Sequence, residues 1–208
     1  DGVEYLHCVQ AALDAGGLRC QVLDTAGEVR EAFAWPPDEA RAGPWQDLAM
    51  GGQAAPLRGA LPRGGHVELR CAGRTPDAPH AREQTILAAH RPGALPPLWI
   101  GLRGARQMLT AIVARAPGRS PSYWLGPALG AGQAFDLHVA LHPGMGPGGI
   151  MYRPAGDRRW TSFTGASATG VEGQDWPERW CIGHGQAGPS DRAFAGSGLS
   201  VRFRRGSG

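Results

Sequence analysis

A chain of 208 residues with 42% hydrophobic and 19% charged residues has enough apolar side chains for one packed interior and too little charge for a disordered polymer. Its formal charge is +3, and all 21 basic residues are arginine, scattered among 18 acids, which argues against the dense basic face of a nucleic-acid-binding protein. No apolar run approaches the ~20 residues needed to cross a bilayer as a helix.

The 33 glycines and 18 prolines follow no Gly-X-Y period, so they imply many tight turns between short strands. In Val3 to Gly17, Val3 and Tyr5 alternate as a strand does. VQAALDAGG instead sets Val9, Ala12 and Leu13 at helical spacing with Gly16 as a stop, so the reading is a strand followed by at most a short helical turn. Cys20 to Leu23 and Glu28 to Phe33 are β-like runs, and the intervening Asp24-Thr25-Ala26-Gly27 suits a tight hairpin. Ala34 to Trp45 is a loop, because Pro36, Pro37 and Pro44 cannot donate to a ladder. Residues 1–50 are expected to pack on a body of residues 51–208, the whole forming a single domain.

In the body, HVELRC puts Val67, Leu69 and Cys71 on one face and His66, Glu68 and Arg70 on the other. Gln84 to His90 comes next, then LWIGL with Leu98, Ile100 and Leu102 inward and Trp99 outward. Met108 to Ala114 is apolar on both faces, as in a central strand or a short buried helix, which periodicity does not separate, and Gly126 to Gly132 reads as a turn. The clearest alternation is FDLHVALH, with Phe135, Leu137, Val139 and Leu141 on a core face and Asp136, His138, Ala140 and His142 on a wet one. On that reading Leu137→Asp unfolds the domain and His138→Asp is tolerated. A glycine-rich tip then leads into a strand restarting at Ile150, and Trp160 to Gly170 is a loop.

The last segment, WCIGHGQAGPSDRAFAGSGLSVRF from Trp180 to Phe203, reads as two strands facing each other across a polar loop. Its order of apolar strand, Gly183, polar loop, Phe-x-Gly and alternating strand resembles the closing segment of laminin-G-like domains of the concanavalin A-like lectin/glucanase superfamily. The resemblance implies an all-β fold, an antiparallel jelly-roll β-sandwich with little helix. It also implies a non-catalytic carbohydrate-binding or adhesion module at a cell or particle surface or outside the cell, with a glycan and other chains of a surface assembly as partners.

Sugar binding needs exposed aromatic faces to stack on the rings and polar groups to bind hydroxyls. Tyr123, Trp124, Tyr152, Arg153, Trp160 and Trp176 lie in or beside predicted loops, and His184, Asp191 and Arg192 precede the last strand. The same tryptophans would also suit the ends of a sandwich core. Some polysaccharide lyases of the same superfamily use Arg, Gln, His and Tyr from a concave sheet on an acidic polysaccharide, which offers Arg70, Gln84, His90 and Tyr152 as an alternative set. A purely structural interaction domain of a surface or phage-like particle is the other alternative. Calcium is frequent in such folds, and Asp136, Asp157, Asp175 and Asp191 are its candidates, although none is clustered with a second acid. His138 and His142 share a strand face without a third ligand. Cys8, Cys20, Cys71 and Cys181 lack metal-site spacing, leaving buried thiols or the pairs Cys8–Cys20 and Cys71–Cys181. The start at Asp1, without a Met or signal peptide, reads as a mature product or a domain of something longer.

Overall fold

A computed structural model of the chain describes residues 8–14, 17–23, 25–27, 29–35, 43–48, 55–56, 67–91, 93–114, 120–141, 149–165, 179–188 and 190–205. Strands dominate, and no α-helix occurs among the described residues. Val3, Tyr5, His66, His142, Asp175 and Trp176 lie outside them. The chain forms two compact units, one of Asp1–Pro44 with Arg205–Gly208 and one of Trp45–Arg204.

The first unit is a three-stranded antiparallel meander of β1 (Cys8–Asp14), β2 (Gly17–Leu23) and β3 (Val29–Trp35). The expected hairpin between β2 and β3 is present, with Gly27 at φ 81° in its turn. The helical turn is not: Val9, Ala12 and Leu13 belong to β1, which pairs with β2 over its whole length. Alanine's helix preference is small per residue, and a continuous ladder that satisfies the backbone overrides it.

The second unit is an antiparallel β-sandwich. One sheet has seven strands in the order β14 (Thr164–Gly165), β10 (Ser122–Ala128), β9 (Met108–Val113), β8 (Leu98–Arg103), β7 (Gln84–Ala89), β15 (Arg179–Ile182) and β5 (Ala55–Pro56). The other has six, in the order β13 (Thr161–Ser162), β12 (Ile150–Pro154), β11 (Ala134–Leu141), β6 (Val67–Arg74), β16 (Ser197–Arg205) and β4 (Gln46–Leu48). Their inner faces share one core, to which Leu69, Leu137, Val139 and Val201 contribute from the six-stranded sheet and Ile100, Leu109, Trp124 and Trp180 from the seven-stranded one. The inward sets read from VELR, LWIGL and FDLHVALH all point into it.

Four local readings change. The two strands of the Trp180 to Phe203 segment do not pair: β15 joins the seven-stranded sheet beside β7, and β16 lies between β6 and β4 in the other. Gly126 is not in a turn, because β10 continues to Ala128 through an irregularity between Leu125 and Ala128. A bulge is where a proline such as Pro127 can sit in a strand without breaking its ladder. The loop read from Trp160 contains the short strands β13 and β14. Trp99 points outward as expected yet is buried, packed with Ala88 and Cys181, its indole N–H donating to Thr85 Oγ1 at 2.9 Å. The indole crosses Gly101, where a Cβ would collide with Trp99 and with the Gln84 carbonyl.

All four cysteines are free. Cys8 pairs with Leu23 and Cys20 with Ala11, which puts the two cysteines at different positions along the first unit's ladder. Cys71 faces the core from one sheet and Cys181 sits on the outer face of the other. Burial pushes the Cys71 thiol up to about 12, so it stays protonated and inert.

Leu137→Ala, which removes a side chain of zero exposure, is expected to cost about 2–5 kcal/mol in urea unfolding. Gly101→Ala should cost about 1–3 kcal/mol through overpacking against Trp99. An undiminished unfolding midpoint would place Leu137 outside the core in the first case, or leave room at Gly101 beside Trp99 in the second.

Candidate functional site

The strands that alternate best put their second set of side chains on the outer face of the six-stranded sheet. From β6 come Glu68, Arg70 and Ala72, and from β11 Asp136, His138 and Ala140, with Arg70 opposite His138 and Ala72 opposite Asp136. β12 adds Arg153 opposite Asp136, and β16 adds Ser200, Arg202 and Arg204. Trp45, just before β4, and Trp160, just before β13, flank the row.

At its centre is a buried ion cluster. Arg204 donates to Glu68 Oε2 from Nε at 2.9 Å and from Nη2 at 2.7 Å, and His138 Nε2 lies 3.2 Å from the same oxygen. Glu68, Arg204 and His138 are 1%, 1% and 3% exposed. Burial alone would raise the Glu68 pKa, but hydrogen bonds from His138 and Arg204 and their charges outweigh it and hold the carboxyl at about 2. An ionised carboxylate can only accept, so Nε2 of His138 carries the proton in this contact. The expectation that His138 sits on a wet face and tolerates Asp is therefore overturned: it is the second donor to a buried carboxylate, where a second acid would repel Glu68.

Guanidiniums and indoles extend the cluster sideways. Arg204 and Arg70 lie over Trp45, their Cζ atoms 4.5 and 4.7 Å from a ring centroid. Arg153 stacks over Trp160 at 4.4 Å, and the His138 ring is 5.9 Å from the same indole, tilted by 55°. Arg153 also donates from Nε to Asp136 Oδ2 at 2.8 Å. Between these long side chains the small Ala72 and Ser200 leave an open recess of about 70 Å³, walled by Arg70, Asp136, Arg153, Trp160 and Arg202.

The other candidate residues are dispersed. Trp124 and Tyr152 point into the core; the Tyr152 hydroxyl accepts from Gln133 Nε2 at 2.8 Å, and burial, the largest influence, raises its pKa. Tyr123 is exposed on the outer face of the seven-stranded sheet, 5.6 Å from the Arg103 guanidinium. Arg192 pairs with Glu83 at 3.4 Å, and its carbonyl accepts from the Thr85 amide. His184 and Asp191 brace their own loop: His184 Nδ1 donates to the Gly185 carbonyl at 2.7 Å, and Asp191 Oδ2 accepts from the Ala187 amide. Gln84 is buried with Oε1 accepting from the Ala195 amide, and His90 Nδ1 is 3.4 Å from Cys181 Sγ, which keeps both away from Arg70 and Tyr152. Arg70, Arg153 and Trp160 are brought together on this face with Asp136 and His138, while His184 and Asp191 share a loop elsewhere. Asp136 serves Arg153, and no group of three His, Cys, Asp or Glu side chains suited to a metal ion occurs among the described residues. Trp45, Glu68, Arg202 and Arg204 entered no candidate set; the alternation of VELR and SVRFR was the signal for three of them.

No protein-family model and no curated protein matches the chain. Among solved structures it is similar to domain 4 of AbnA, a GH43 extracellular arabinanase from Geobacillus stearothermophilus, in complex with arabinotriose, at 12% identity and a TM-score of 0.33, over 96% of this chain and 76% of that one. A likeness that low says nothing about what this chain binds.

Breaking the cluster with Glu68→Gln or His138→Asp should cost about 3–5 kcal/mol, because uncompensated charge is left buried. The sign with pH comes from the lowered Glu68 pKa: its stabilisation is full above the ordinary value of 4.5 and is lost as pH falls toward about 2. Thermal melts across that window should show a steeper loss for the parent chain than for Glu68→Gln; parallel curves would mean that Glu68 is not held ionised.

Proposed function

We propose that this chain is a non-catalytic carbohydrate-binding module of the concanavalin A-like, laminin-G-like kind, and that its recognition surface is the outer face of the six-stranded sheet. The observation that carries the reading is a half-buried indole, Trp160, in a row of arginine, aspartate and serine side chains around an open recess, with a second half-buried indole, Trp45, against Arg70 at one side. Indole faces stack on the apolar side of a sugar ring, and guanidinium and carboxylate groups bind hydroxyls in pairs. Two packed antiparallel sheets with interleaved strand order support the fold side of the reading.

Binding is favoured over lyase chemistry by the placement of Arg70, Gln84, His90 and Tyr152. Proton removal beside a carboxylate needs a base within hydrogen-bond reach of the proton it takes, next to the neutralising arginine. Tyr152 faces the core instead, with its pKa moved further from neutrality. A module of this kind would work at a cell or particle surface, holding a larger assembly to a polysaccharide coat.

The test is a glycan array carrying neutral and acidic polysaccharides. Trp160→Ala should weaken the best binder by about 1–3 kcal/mol with an unchanged melting temperature. Trp124→Ala should instead destabilise the fold by about 3–5 kcal/mol. No retained glycan of either kind, or new absorbance from unsaturated uronates, would sink the reading.

A further inference from the structure

Resting on that reading, we infer that the recess between Arg70, Arg153 and Arg202 is an anion-binding subsite, and that the polysaccharide recognised is acidic, bearing carboxylate or sulfate groups. Among the described residues the recess is lined by three guanidiniums and one carboxylate, that of Asp136, and Arg153 and Arg202 alone outnumber it. The floor of the recess is formed by the small side chains Ala72 and Ser200 and one wall by Trp160, so an anionic substituent enters between the guanidiniums while the sugar ring that bears it rests on the Trp160 side.

Arg153 is already aimed. Its Nε–H goes to Asp136 and its Cζ lies over Trp160, which fixes the guanidinium while its two terminal NH2 groups have no partner among the described residues. Such a fork matches the two oxygens of a carboxylate or sulfate and loses little freedom on binding. Arg202, exposed and with no side-chain hydrogen-bond or ion-pair partner among the described residues, stands across the recess on β16 as a second cation. Nucleic acid fits less well. Acids are interleaved with the arginines, and the chain's net charge is only +3.

The experiment measures binding of the full chain to three uronate-bearing polysaccharides (polygalacturonate, alginate and hyaluronate) and to their carboxyl-reduced neutral forms. Dextran sulfate and heparin supply the sulfate arm, and duplex and single-stranded DNA the control. Arg202→Ala, at an exposed position, should leave the melting temperature unchanged and weaken binding to an acidic polymer about tenfold or more. Reducing the carboxyls should have a similar effect and should abolish the difference between Arg202→Ala and the parent. Arg153→Lys, which keeps the charge and loses the fork, should also weaken binding. Binding to the uronate-bearing polysaccharides alone assigns a carboxylate and binding to sulfated polymers alone a sulfate; either supports the subsite. Neutral polymers held as tightly as their acidic parents, with no effect of Arg202→Ala, would overturn the subsite and leave the carbohydrate reading standing. Retention of no polymer removes both, and DNA held more tightly than every polysaccharide replaces them with a phosphate-binding face.

Discussion

The Glu68 carboxylate is buried in a sheet face that the strand pattern would otherwise leave wet, and the arrangement of that face comes from keeping it ionised. An isolated buried carboxylate is too costly to persist. It persists here because Arg204 supplies a two-toothed grip on one oxygen and His138 a third contact to it. These donors come from β16 and β11, the two strands that flank β6, so the carboxylate ties the middle of the six-stranded sheet together independently of its backbone ladder. Hydrophobic burial on the inner face fixes which side of each strand is inside, and the ion cluster adds a requirement for which strands lie side by side.

Arginine is the residue that such a face requires. Arg70, Arg153 and Arg204 each lie on an indole, and Arg153 and Arg204 at the same time hold a carboxylate. A planar, delocalised guanidinium can stack and donate in its plane together, whereas an ammonium is a compact, strongly hydrated charge that would do one and leave the other unmet. On this face lysine would not replace what arginine does.

The inner face was legible in the sequence because period-two alternation depends only on neighbours. VELR, LWIGL and FDLHVALH each declare their buried side without reference to any other strand. The outer face was legible one strand at a time and not as a site. Glu68 and Arg204 are 136 residues apart, and nothing local says that β6 and β16 are adjacent. His138 looked solvated for the same reason, since a polar residue on the non-core side of a strand is exposed unless another strand brings it a partner. Trp45 was hidden in a proline-rich loop whose composition describes the backbone and not where the side chain goes. The helical spacing of Val9 to Leu13 gives way for the complementary reason: a partner strand, which local spacing does not contain, decides the backbone there.

The candidate face grades from structural to accessible across neighbouring strands. Arg204 is buried and locked to Glu68, Arg153 is about a quarter exposed and held by Asp136 and Trp160, and Arg202 is exposed and unconstrained by any ion pair among the described residues. That gradient has a physical rationale. Groups that must be positioned are cheapest to position when they lean on groups that are already immobile, and ordering them in the folded protein removes an entropy cost from the binding step. On the carbohydrate reading proposed above, Glu68 and His138 act on a ligand through the side chains they hold, as positioning residues, while contact falls to side chains whose removal leaves the core and the ion cluster intact. On the same reading, Arg202 and Ser200 set the ligand preference without disturbing the sheet that carries them.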